Sequence, residues 1–116
     1  MPDQYAFRPN DLTVGKSLDA ATTGTGQAIA FNDCRSINWV IQGNGAVGAG
    51  AVVIESSNDP NYAGVWMQVV APVTVVANAQ VGGKADFPPG GFVRARVTTT
   101  VTGGTVTVWL NGLKNI

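Results

Sequence analysis

The stretch VTTTVTGGTVTVWL, Val97 to Leu110, decides the fold class. Its β-branched runs suit the pleated surface of a strand, where stiff side chains pack without extra entropic cost. Gly103 and Gly104 between them can both take positive φ, so the pair predicts a two-residue hairpin turn. Pairing outward from that turn sets Val101 against Val106, Thr99 against Val108, Thr98 against Trp109 and Val97 against Leu110. One face then carries Val97, Thr99, Val101, Val106, Val108 and Leu110. The other carries Arg96, Thr98, Thr100, Thr102, Thr105, Thr107 and Trp109. Side chains alternate with period two, so Trp109 cannot join the valine face without a bulge or a register slip. Three readings account for a tryptophan on the threonine side: an anchor for a partner protein, packing beneath the N-terminal arm, or a platform for a sugar ring.

Working outward, the same alternation recurs. GFVRARVTTTV precedes the glycine pair as a strand, with Arg94 and Arg96 on one face, and KADFPPG turns the chain into it. SINWVIQ places Ile37, Trp39 and Ile41 on one face, and GNGAVGAG reads as a flexible connection. AVVIES and VWMQVVA read as a hairpin joined by SNDPNYAG, a loop whose Asn, Asp and Ser side chains favour local turns. VTVVANAQVGG holds one or two short strands. The total is roughly seven to nine strands at spacings of about ten residues, with no convincing helix, the cadence of a β-sandwich. The expected fold is therefore all-β: a single-domain β-sandwich of the jelly-roll kind. Residues 1–26 read as an extended N-terminal arm or edge strand, and residues 27–116 as the sandwich. Its core would use Ile37, Trp39, Ile41, Val52, Ile54, Val93, Val97, Val101, Val106, Val108 and Leu110.

Composition narrows the function. A chain of 116 residues is one domain. Seven basic and seven acidic residues make only 12% of it charged, against about 25% in an ordinary soluble domain. Either neighbours cover the surface in the working state, or Thr, Asn, Gln and Ser solvate it. A net charge of zero lacks the clustered basic footprint that nucleic-acid binding needs. No apolar run approaches the ~20 residues of a membrane-spanning helix, and the N-terminal MPDQYAFRPN has no secretory signal pattern. The expected site of synthesis is a host cytoplasm.

Chemistry finds little purchase. Histidine is absent, which excludes Ser-His-Asp and Cys-His arrangements within one chain. Cys34, the single cysteine, lies beside Arg35, which could lower its pKa, but a structural turn cysteine is the plainer reading. The carboxylates available for glycoside hydrolysis are Asp33, Glu55, Asp59 and Asp86, with Asp3, Asp11 and Asp19 in the arm. All sit at turns or strand ends, where Asp serves local hydrogen bonds. SSNDPNYAG offers Asn58, Asp59 and Asn61 but lacks the alternating acidic ligands, central Gly and terminal Glu of a calcium loop. GNGAVGAG lacks the lysine and following helix of a phosphate-binding loop. The sequence thus calls for no enzyme activity, cofactor, metal ion or small-molecule substrate. Trp109, Arg94, Arg96 and Trp66 remain as candidate interface residues, since Trp and Arg dominate interface energetics.

Two stretches carry a resemblance: AVVIESSNDPNYAGVWMQVV, and FPPGGFVRARVTTTVTGGTVTVWLNG. Together they resemble small β-sandwich structural proteins of tailed bacteriophages, including head decoration (cement) proteins. The resemblance covers about half the chain and carries no catalytic residues. It implies a virion structural protein on the capsid surface that forms a homotrimer, binds the major capsid protein and stabilises the shell. A carbohydrate-binding module and a tail or baseplate subunit are the alternatives.

Overall fold

The computed structural model describes residues 12–31, 34–86 and 91–114. Its elements are six strands: β1 (Leu12–Ala21), β2 (Ile29–Ala30), β3 (Cys34–Ser57), β4 (Met67–Thr74), β5 (Gln80–Asp86) and β6 (Phe92–Lys114). The domain is all-β, as the alternation predicts, and every pairing is antiparallel. The sheet order is β1-β6-β3-β4, with β2 also on β6 and β5 also on β3. Residues 1–11 of the expected arm lie outside the described residues, as do residues 87–90 of the FPPG turn. Leu12–Ala21 forms an edge strand whose partner is β6.

Two strands dominate. β3 and β6 run antiparallel along each other from Cys34↔Lys114 to Ser57↔Phe92. At about 3.3 Å per residue, 23 extended residues would reach roughly 75 Å, yet the longest dimension of the molecule is 45 Å. The ribbon therefore bends sharply in its middle. The bend corrects the predicted hairpin: Thr102 pairs with Ala49, Thr105 with Asn44, and Gly104 with Gly45. Gly103 does adopt positive φ (+81°), and so does Gly45 (+85°) on the neighbouring strand. The conformational freedom of glycine is used to fold a continuous strand over, not to reverse it. The flexible connection expected at GNGAVGAG is likewise the middle of β3. Register shifts cluster between Gly45 and Val52, and they cancel. Seven steps along each strand separate Gly45↔Gly104 from Val52↔Val97, so the original register resumes beyond the bend.

The other strands sort onto the two arms of this ribbon. β5 pairs with the first half of β3 and β4 with its second half. Between them residues 75–79 cross the bend and strap it. Gly43 N–H donates to the Ala79 carbonyl (2.9 Å), Val75 N–H to Gly50 (3.0 Å) and Asn78 N–H to Gly45 (3.2 Å). On the far side residues 22–26 cross in the same way, with Val101 and Val97 donating to the Thr22 and Gly24 carbonyls at 2.8 and 2.9 Å. Ser17, the bulged residue of β1, ties both arms together. Its hydroxyl donates to the Gln27 carbonyl (2.8 Å) and accepts from Ala95 N–H (2.9 Å).

The core lies on one face of the folded sheet and draws on both arms: Ile37, Ile41, Val106, Val108 and Leu110 from one, Val52, Ile54, Val93 and Ala95 from the other. Of the predicted core, only Trp39 and Val97 are not fully buried, and both pack against the cluster. Trp39 lies across β5 over Gly83, where a Cβ would sit 2.6 Å from the indole Cζ2.

Candidate functional site

The second arm builds an ionic cluster on its outer face. Glu55 on β3 stands opposite Arg94 on β6, and Val53 opposite Arg96, so period-two alternation puts Glu55, Arg94 and Arg96 on one side. The Glu55 carboxylate is 3% exposed. It accepts from Arg94 Nε at 2.7 Å and from Arg96 Nε at 3.2 Å to both oxygens, and Arg96 Nη2 lies 3.2 Å from Oε1. A carboxylate this buried persists only because charged donors replace its lost water.

The loop of residues 58–66 folds over this trio. Ser57 and Asp59 start it with reciprocal bonds: the Ser57 hydroxyl donates to the Asp59 carbonyl (2.8 Å) and accepts from Asp59 N–H (3.0 Å). Asp59 Oδ1 accepts from Asn61 N–H (2.9 Å), the Asx turn that the sequence predicts. The loop ends by burying Trp66, whose indole N–H donates to the Tyr62 carbonyl at 2.9 Å. The Arg94 guanidinium lies 3.7 Å from the Trp66 ring centroid, a stacked cation–π contact. Thr25, Ala63, Gly64 and Val65 complete an open cleft of about 410 Å³ beside the two arginines. Of its lining residues, Val65 is the exposed large apolar side chain.

Three of the four residues singled out in the sequence, Arg94, Arg96 and Trp66, therefore meet here. The fourth does not. Trp109 lies on the outer face of the first arm, between Lys16 of β1 and Val40 of β3. Its neighbouring cation is Lys16, 4.7 Å above the ring, and not Arg96, which the predicted hairpin sets near it on the same face. Without a reversal at Gly103-Gly104, Thr98 and Trp109 fall on opposite sides of the bend. A row of uncharged side chains shares the face of Trp109. Gln80 Nε2 donates to Gln42 (2.8 Å), Gln42 Nε2 to Asn44 (2.7 Å), and Asn44 Nδ2 to the hydroxyls of Thr105 (3.1 Å) and Thr107 (3.0 Å).

The carboxylates do not converge. Asp19 pairs with Lys16 at 3.5 Å and Asp86 with Lys84 at 3.4 Å, Asp59 serves its turn, and Asp3, Asp11 and Asp33 lie outside the described residues. Among the described residues no group of His, Cys, Asp and Glu could hold a metal ion. Glu55 was legible only as a strand-end acid. The signal for its role is the Arg-x-Arg spacing of Arg94 and Arg96, which requires an acidic partner if that face is covered.

With this geometry in view, comparison with known proteins adds the fold's relatives. No family model matches the chain, and no curated protein matches it. Two solved structures share the fold. One is the SPBc2 prophage-derived protein YomS, at 16% identity and a TM-score of 0.64, covering 90% of this chain and 94% of that one. The other, from a Bacillus endospore appendage described as a disulfide-linked pilus, shows 12% identity and a TM-score of 0.50, covering 90% and 87%. At these identities the likeness is one of fold.

Proposed function

We propose that the chain is a virion structural protein, a capsid decoration subunit that binds the major capsid protein and stabilises the shell without performing chemistry. The observation that carries this reading is the likeness to a prophage-derived protein over nearly the full length of both chains. The second likeness, to a protein of an endospore appendage, points to the same broad use of the fold as a building block. The outer face bearing Gln42, Asn44, Gln80 and Thr105 fits such use, because an uncharged amide and hydroxyl surface costs little to desolvate once a partner supplies hydrogen bonds. In this reading copies assemble as a homotrimer, with Trp109 anchoring one contact and the Arg94–Arg96–Trp66 cluster another. Many modest contacts repeated over a closed shell then raise the cost of opening any seam.

The test is the solution mass of the purified chain, followed by sedimentation with empty capsids and antibody labelling of intact particles. A trimer that co-sediments with capsids and labels heads supports the proposal. A monomer left in the supernatant overturns it, and label confined to tails transfers the role to a tail or baseplate subunit. A sugar-binding reading has less support, because the three indoles do not line up. Trp39 and Trp109 belong to opposite faces of the sheet, and Trp66 is buried with its ring stacked against Arg94.

A further inference from the structure

We infer that the cleft beside Trp66 binds a carboxylate carried by a protein partner, held by the outer edge of Arg94 together with Arg96. The inference relies on the structural role only for the kind of partner; the binding chemistry stands on this chain's own residues. The first argument is charge. Two guanidinium groups line the cleft against one carboxylate, and among the described residues no second acid lines it. One positive charge is left over beside a pair already fixed in place.

The second argument is donor geometry. Glu55 engages Arg94 through Nε alone. Among the described residues nothing hydrogen-bonds its Nη1 or Nη2 groups, and stacking on Trp66 holds the guanidinium plane. A fork fixed in this way matches the two oxygens of a carboxylate, and little side-chain freedom remains to be lost on binding. Arg96, 39% exposed, stands two residues along on the same face and reaches the same space.

The third argument is the rim. Val65, which lines the cleft with Ala63 and Gly64, is 89% exposed, so an open apolar side chain borders the cationic floor. A fixed arginine stacked on a buried tryptophan beside an exposed valine suits a protein interface, where Trp and Arg dominate the binding energy. A cleft of about 410 Å³ admits one acidic side chain and its apolar neighbours. A nucleic-acid backbone would need a continuing basic track, which a chain of zero net charge with 12% charged residues does not provide.

The test is titration of the full ¹⁵N-labelled chain, following the Arg94 Nε–H and Trp66 indole resonances. The probes are acetyl-Val-Asp-Val-amide, the matching Asn peptide and inorganic phosphate. The expected result is a saturable shift with the Asp peptide, a response at least about tenfold weaker with the Asn peptide, and loss of the Asp response in Arg94→Lys. That variant keeps a charge beside Glu55 but removes the fork; Arg96→Gln serves as a second variant, and the wild-type Asp–Asn difference needs no variant. No saturable shift overturns the inference, and so does equal response to both peptides or undiminished affinity in Arg94→Lys. Phosphate binding more tightly than the Asp peptide also overturns it, in favour of a phosphate ligand. None of these outcomes bears on capsid sedimentation, so each proposal can fail alone.

Discussion

The two arms of the bent ribbon share one register and one core, yet their outer faces hold themselves together by opposite means. On the first arm, Gln80, Gln42, Asn44, Thr105 and Thr107 form an open network of neutral hydrogen bonds. On the second, Glu55 is sealed between two arginines beneath Trp66. The difference follows from covering. A face left in water can be solvated by amides and hydroxyls, each worth little. A face roofed by a loop loses its water, so a charge there must be matched inside the protein. One sheet thus carries a cheap neutral surface and an energetically exacting one.

The contrast breaks most visibly at Glu55. Glu55→Ala leaves two arginines facing each other under Trp66, and removing one member of a buried pair costs about 3–5 kcal/mol. Urea denaturation followed by circular dichroism should show a midpoint lowered accordingly; an unchanged midpoint would mean the loop does not seal the cluster. The bend between the arms is the next point to strike. Gly103→Val forces a branched side chain to φ near +81° and drives its Cβ into the Ala46 carbonyl. The backbone conformation alone accounts for about 1–2 kcal/mol, so the melting temperature should fall clearly, and amide exchange should quicken first around Gly45 and Gly104. On the first arm the effects shrink. Asn44→Ala removes two half-buried bonds to threonine hydroxyls and should cost about 1 kcal/mol in the same urea assay. A cost equal to that of Glu55→Ala would erase the distinction between the faces. Smallest of all, Lys16→Ala removes a cation over Trp109 at the surface, worth about 0.5 kcal/mol. It should shift the indole emission more than the melting temperature.

Much of this was legible in the sequence, because period-two burial survives long-range ambiguity. Val101 and Val106 lie on one buried face whether the glycine pair reverses the chain or bends it, since either device shifts the phase of alternation. The core list therefore held while the hairpin did not. What distinguishes the cases is a second glycine-rich interruption, GNGAVGAG, paired across from the first. Its meaning depends on β3 and β6 being partners, and those strands lie far apart in sequence. The site followed the same logic. That Arg94 and Arg96 share a face could be read from their spacing alone, and so could the Asx turn at Asp59. That Glu55 faces them and Trp66 roofs them depends on cross-strand register, and no local pattern carries that information. Trp109 was assigned to the correct kind of face, away from the valines, but its neighbour Lys16 comes from a strand that the local pattern marks only faintly.

The placement of β6 has a further consequence. It lies between β1 and β3, pairing with β3 almost from end to end and with β1 from Val106 to Leu113, although it is the last of the six strands to be synthesised. Until it emerges from the ribosome, β1 has no neighbour to join and β3 can zip only to β4 and β5. Assembly must therefore wait for a late segment that closes contacts spanning most of the chain, which makes for slow, strongly cooperative folding and a nascent form with open strand edges.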